Sequence, residues 1–382
     1  MQKIFLIFHG RFPSDKAASL FAAKTAEAFA EENIEVTLLV PRRIGREKAN
    51  PYAYYGVKKN FRIVYLPVVD TGRIRFLHPI RFMLSLASFS LAIFFYMATK
   101  TSKSDTVYSN ESLPLLLASF VRLNTFYEMH DFPESKQTLF GILLRRMRGV
   151  IIHNQWKTNE VIKLFRIPEV RILCEPNAVD TEEFDIPVSK DEARQKLSLP
   201  VDKKIVVYTG HLYSWKGVDT LAQAARELPG NYLVVIVGGN SEDVERFKNI
   251  YSTTSTIQIM GFRPHQEIPL WQKAADVLVL PNSGKEDISK YYTSPMKLFE
   301  YAASKRPIVA SRIPSITELI DDTSAFFIEP DNPSELAQAI RRVCEGEASL
   351  DARSAVAYNW VLEHTWRKRA QRITHFIKKL QR

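Results

Sequence analysis

Short apolar runs without polar alternation recur along the whole chain, and they limit its fold more than any other feature. A first set lies at 4–8, 36–40, 63–66, 106–108, 125–127, 150–152 and 171–173. A second set lies at 205–208, 233–237, 257–260, 277–280, 308–310 and 326–328. A strand with one wet face alternates, so runs like these read as strands buried on both faces of a parallel sheet. Helical patterns fill the gaps, as at 17–30, 218–228 and 333–343. The expected class is therefore α/β, with two doubly wound, Rossmann-like parallel sheets. At 382 residues the chain is too long for one ordinary core, which also favours two domains. The polar stretch 181–200, with Pro187 and Pro200, places the boundary. The expected division is 1–183, then 184–360, with 361–382 returning to the first domain as a helix over 360–379.

The formal charge of +10 is unevenly spread. Residues 42–100 hold eleven Lys/Arg against Glu47 and Asp70, and 366–382 hold seven Lys/Arg and no acid. Zinc-finger spacing, an RNA-binding aromatic signature and a helix-turn-helix pattern are missing, so nucleic acid is not the expected partner. An anionic lipid surface or a phosphorylated ligand is. Residues 82–98 are seventeen in a row without a charge, preceded by Arg73, Arg75 and Arg81. Such a segment reads either as a core helix of the first domain or as an amphipathic helix at a membrane face, and it is short for a span. Cys174 and Cys344 sit beside apolar runs and read as small buried hydrophobes, which suits a reducing compartment. Met1-Gln2-Lys3 leads straight into Ile4 without a signal-cleavage pattern, so the expected place is the cytoplasm, with peripheral contact at the inner membrane face.

Three segments carry the chemistry. In Ser294-Pro295-Met296-Lys297-Leu298-Phe299-Glu300, Ser294 has the character of an N-cap and Pro295 of a first helical residue. The free amides at Met296 and Lys297 would then face a phosphate, and Glu300 would reach a ribose diol. In Tyr208-Thr209-Gly210-His211-Leu212-Tyr213-Ser214-Trp215-Lys216-Gly217, Gly210 turns the chain at a strand end, and Lys216 can meet a diphosphate as a point charge. His211 can bind phosphate or cap the strand. In Met260-Gly261-Phe262-Arg263-Pro264, the backbone of Phe262 and Arg263 can read a base edge, with Arg263 near the phosphates. Each piece alone is also what an ordinary capped helix, solvated loop lysine or strand-to-helix turn looks like.

Together the pieces resemble the retaining glycosyltransferases of family 4, with the GT-B fold of two Rossmann-like domains facing a cleft. The likeness is strongest over 205–330. It includes Val237-Gly238-Gly239, residues 275–281 and 294–311, and extends upstream to Pro176-Asn177-Ala178-Val179-Asp180. The resemblance implies that Lys216 stabilises a leaving diphosphate, that the amides after Ser294 share that charge, and that Glu300 holds the ribose. It implies that His130, in Met129-His130-Asp131, lies near the transferred sugar, and that Gly10, Arg11 and Lys16 border the acceptor. Two positions depart from the family pattern. Tyr292 stands where a sugar-contacting glutamate is usual, with Asp287 or Glu286 of the same loop as its substitute, and His211 stands where an arginine is usual.

The expected reaction is transfer of a hexosyl residue from a UDP-sugar, favoured over a GDP-sugar, with retained anomeric configuration. The acceptor would be a glycan, a lipid-linked molecule or another hydroxyl in cell-envelope polysaccharide or glycoconjugate assembly. No metal and no cofactor beyond the nucleotide-sugar co-substrate are implied. A sugar-nucleotide epimerase and a non-catalytic binding protein of the same fold stay open. A nicotinamide oxidoreductase fits less well, since no Gly-x-Gly-x-x-Gly turn follows a strand.

Overall fold

The structure is a computed structural model that describes residues 3–44, 49–70, 78–133, 137–251, 254–346 and 350–381. Arg73 and Arg75 lie outside the described residues. Each apolar run is a strand. In chain order the first seven are β1 (Lys3–Ile7), β2 (Glu35–Pro41), β3 (Arg62–Leu66), β4 (Thr106–Ser109), β5 (Thr125–Met129), β6 (Gly149–Ile152) and β7 (Ile172–Cys174). The next six are β8 (Lys204–Thr209), β9 (Tyr232–Val237), β10 (Ile257–Gly261), β11 (Val277–Leu280), β12 (Ile308–Ser311) and β13 (Phe326–Ile328).

Two sheets result, ordered β3-β2-β1-β4-β5-β6-β7 and β10-β9-β8-β11-β12-β13, and every strand pair is parallel. In each sheet the order reverses beside the first strand, between β1 and β4 and between β8 and β11. Crossovers leave these two strands toward opposite faces, which opens a crevice at the strands' carboxyl ends where ligands bind in such sheets. The central strands are buried throughout, as their unalternating pattern requires. Edge strand β7 is not. Cys174 at its end is exposed, contrary to the sequence reading, while Cys344 is buried as expected.

The chain divides into two compact units, residues 1–175 with 366–382, and residues 176–365. The second unit begins earlier than the 183/184 boundary read from composition. Asn177 accounts for the difference: its amide N–H donates to Ser294 Oγ (3.2 Å) and its side-chain amide to the Ser294 carbonyl (2.6 Å). The single helix expected over 360–379 is two helices, Leu350–Val361 and Trp366–Gln381. Between them the chain pairs with Val179, whose N–H donates to the His364 carbonyl at 3.0 Å.

In the first unit the Trp366–Gln381 helix packs on the Ala17–Glu31 helix, whereas the His78–Lys100 helix packs on the Ser112–Ala118 helix. Right-handed crossovers put these two pairs on opposite faces of the sheet. Of the basic 42–100 segment, Arg81 and Lys100 lie on the His78–Lys100 helix, whereas Lys58 bonds Glu31 of the Ala17–Glu31 helix (2.5 Å). Several charges of the tail are also paired: Arg369 with Glu128 (2.5 Å), Arg372 with Glu175 (2.7 Å) and Arg367 with Glu32 (3.6 Å).

Candidate active site

In the second unit the loops after β8, β9, β10 and β11 and the Met296–Ala303 helix converge at the carboxyl end of the sheet. Their close approach depends on glycine. Gly210 has φ +128°, and a Cβ there would lie 2.0 Å from Lys297 Cε. Gly217 has φ +67°, and its Cβ would lie 1.8 Å from the Pro281 carbonyl oxygen. Ser283 N–H donates to the Trp215 carbonyl (3.1 Å), and Ser214 Oγ donates to Glu286 (2.7 Å). The β8 loop is thereby stitched to the loop after β11. Glu286, weighed above as a sugar contact, is part of that stitch.

The start of the Met296–Ala303 helix differs from the sequence reading. Pro295 is the N-cap residue, with φ −72° and ψ 107°, and no side chain caps the helix. Ser294 is turned instead to Asn177, so the Pro176–Asp180 motif fixes where this helix begins. Among the described residues the amides of Met296 and Lys297 have no protein acceptor, as expected of a first turn. Leu298 is not a ligand-facing residue: its side chain is fully buried and its amide donates to the Pro295 carbonyl (3.0 Å).

Two ammonium groups, Lys216 and Lys297, belong to the same loop cluster and repel one another. Lys297 Nζ lies 3.2 Å from the Tyr208 hydroxyl and 4.8 Å from that ring's centre. Burial lowers its pKa to about 8 despite the opposing pull of Glu300. Half-buried Lys216 sits with Nζ 3.7 Å above the Trp215 ring. Burial, and then the charge of Lys297, hold its pKa well below the usual lysine range. Among the described residues neither ammonium is joined to a carboxylate. Glu300, the carboxylate in their field, accepts from the Gln272 side chain (3.3 Å), and burial raises its pKa. Two partly desolvated cations that lack a carboxylate partner among the described residues, on a helix with free first-turn amides and the loop beside it, favour a polyanion. The sequence reading used Lys297 only through its amide. The signal for its side chain was the paired requirement that Gly210 leave room and Tyr208 provide a hydroxyl.

The remaining donor-side residues are placed as follows. His211 is exposed and stacks on Tyr213 (5.0 Å, 14°), which stacks on Trp215 (6.2 Å, 20°). Phe262 is exposed, and the Arg263 guanidinium bonds the Phe262 carbonyl (3.1 Å) and lies 6.0 Å from the Trp271 ring centre. The Arg263 guanidinium is thus bonded within its own turn. Tyr292 ends a π-turn, Ile288–Tyr292, and is half-buried.

In the first unit, Glu128 is a fully buried node. Oε1 accepts from Arg369 (2.5 Å) and His153 (2.8 Å), Oε2 accepts from Tyr108 (2.6 Å), and His130 Nε2 lies 3.5 Å from Oε1. Burial opposes ionisation, yet the Arg369 charge and the histidine contacts hold the carboxyl well below its usual range. Glu128, His130 and His153 have the composition of a metal triad. The donor set does not fit a cation, because a guanidinium and a phenol already occupy both carboxylate oxygens. Arg11 donates to the Ile44 carbonyl (3.2 Å), and Arg43 donates to the His9 carbonyl (2.9 Å). Gly10 lies under the Phe8 ring, which a Cβ would meet at 2.1 Å. Exposed Lys16 precedes the Ala17–Glu31 helix, and its side chain makes no capping bond.

Residues 203–346 match the family model described as "Glycosyl transferases group 1". That stretch is similar to glycosyltransferases of group 1, and it includes the whole lysine-pair site, from Gly210 to Glu300. Among curated relatives, a D-inositol 3-phosphate glycosyltransferase of Xylanimonas cellulosilytica is 22% identical over 55% of this chain and 52% of its own length. The α-D-kanosaminyltransferase of Streptomyces kanamyceticus is 24% identical over 53% and 52%. The chain spans about half the length of the curated relatives it matches. Among solved structures, sucrose-phosphate synthase from Thermosynechococcus elongatus has a TM-score of 0.79 at 18% identity, covering 100% of this chain and 99% of that one. Anabaena HepE in complex with UDP and glucose has a TM-score of 0.75 at 17% identity, covering 99% and 100%. These structural likenesses establish the fold, GT-B, with two Rossmann-like parallel-sheet domains.

Proposed function

We propose that the protein transfers a hexosyl residue from a nucleoside-diphosphate sugar, UDP-linked by preference, to a hydroxyl acceptor with retention of configuration. The observation that carries this reading is the pair of partly desolvated, mutually repelling ammoniums, Lys216 and Lys297, in the loop cluster at the carboxyl end of the second sheet, where the Met296–Ala303 helix also begins. As the glycosidic bond breaks, negative charge grows on the departing diphosphate. Cations and amides already fixed in place stabilise that charge without reorganising. Lys297 takes the part that His211, stacked on Tyr213, does not take, and so replaces the arginine usual in the family. Glu300 holds the ribose. The departing phosphate accepts the acceptor's proton on the same face, which retains configuration and requires no metal. In the first unit, His130 is held by the Glu128 node for the sugar, and Arg11 with Lys16 serves an anionic acceptor.

UDP binding followed by calorimetry, together with sugar release from UDP-hexoses, tests the reading. Lys216→Ala and Lys297→Met are each expected to weaken UDP binding or slow transfer by roughly tenfold or more, the loss of one charge-assisted contact. Wild-type affinity and rate in both variants would overturn the site. Folded protein with no affinity for any nucleotide sugar would favour the non-catalytic alternative, which the stacked His211 and the presence of Tyr292 keep in view.

A further inference from the structure

The His78–Lys100 helix has two apolar faces. One carries Phe89, Ile93 and Met97, all fully buried in the first unit's core. The other carries Ile80, Met83, Leu84, Ala87, Leu91 and Phe95, which are all exposed, with Met83 at 69% and Phe95 at 63%. Steps of three and four put these residues on a single stripe. The apolar surface continues on the neighbouring helices. The Ser112–Ala118 helix packs on the long helix and leads to exposed Phe120 and Leu123, the latter 79% exposed. The Gln137–Arg146 helix, packed next to it, exposes Leu139 and Ile142. A soluble surface does not ordinarily leave so many large apolar side chains together.

Charge identifies what covers this face. Neither shorter helix contains an acid, and Lys100, Lys103, Arg145 and Arg146 are exposed at the helix ends. A second copy would set like charges against each other, whereas an anionic bilayer surface meets apolar side chains with acyl chains and cations with headgroups. The helix does not cross the bilayer, because Phe89, Ile93 and Met97 would have to leave the core. We infer that the protein docks on an anionic lipid surface through the Ile80–Phe95 stripe and the flanking Phe120, Leu123, Leu139 and Ile142, with the long helix lying in the membrane plane. The same helix reaches the acceptor-side loop: the Phe82 ring lies 5.7 Å from the His9 ring, and Ser85 Oγ shares a 3.1 Å hydrogen bond with His9 Nε2, just before Gly10 and Arg11. Resting on the transferase reading, this places a lipid-anchored acceptor hydroxyl within reach of that loop.

Sedimentation of the full chain with vesicles tests the inference, using phosphatidylcholine alone and phosphatidylcholine mixed with phosphatidylglycerol. Binding is expected to the mixed vesicles, weakening as salt rises. Met83→Ser/Leu91→Ser/Phe95→Ser is expected to lower it by roughly tenfold or more, since it removes the buried apolar area. Lys103→Glu/Arg145→Glu should also weaken it while leaving neutral vesicles unaffected. All five positions are exposed, so thermal melting and the UDP-induced melting shift should stay at wild-type values. Absence of wild-type binding, or equal binding by the triple variant, would overturn the inference. So would self-association in vesicle-free buffer that the triple variant abolishes, which would assign the face to a second copy. A missing UDP shift in wild type would instead count against the transferase reading alone.

Discussion

Lys297 is the residue whose behaviour is most informative. Its pKa near 8 lies below the 10.5 of an exposed lysine because burial disfavours the charged form. A diphosphate would restore the lost solvation and pull the pKa back up. UDP affinity is therefore expected to fall as pH rises through about 8, with protons taken up on binding near that pH. Calorimetry in two buffers of different ionisation enthalpy measures the uptake, and Lys297→Met should lower it, the lowered pKa of Lys216 supplying the rest. In the free protein the unfolded state binds this proton more tightly, so this group adds stability as pH rises from 8 toward 10.5. The sequence made the lysine's position on the helix legible, but not its depth. Depth depends on Gly210, Tyr208 and the helix start meeting in space, and Ser294 illustrates the same limit. Its capping character was local, whereas its actual partner, Asn177, is distant in sequence and holds it by two hydrogen bonds.

At the scale of elements, the strands were readable because burial on both faces leaves a plain signature, and every run became a strand. The long helix was readable only as a choice between core and membrane face. Both descriptions apply, one to each side, and composition alone cannot separate two apolar faces on one helix. The break between Val361 and Trp366 was not readable, since the helical pattern continues across it and the interruption comes from pairing with Val179. The β8 loop gives a prediction at this scale. Gly217→Ala must adopt a positive φ and push against the Pro281 carbonyl, so it is expected to cost more than about 1 kcal/mol in denaturant unfolding. It should also displace Lys216, and UDP affinity should fall with stability.

For the molecule as a whole, the net charge of +10 is divided between faces with different duties. The tail's Arg369 and Arg372 serve buried carboxylates, whereas beside the long helix Lys100, Lys103, Arg145 and Arg146 stay exposed and Arg122 is buried against the helix end. Arg369 is nearly fully buried against Glu128. Arg369→Met would leave a buried carboxylate short of its cation and is expected to cost about 3–5 kcal/mol by chemical denaturation. The loss should fall on the first unit, so a probe there, such as Trp156 fluorescence, should melt early while UDP still shifts the second unit's transition.

The return of residues 366–382 to the first unit also has a bearing on how the chain is made. On a ribosome, residues 1–175 emerge before the helix that supplies Arg369 and Arg372 to Glu128 and Glu175. The second unit, continuous in sequence, has all its parts before that helix appears. The half synthesised first would then be the half completed last, and its unfinished apolar and acidic surfaces are where a chaperone would have most to hold.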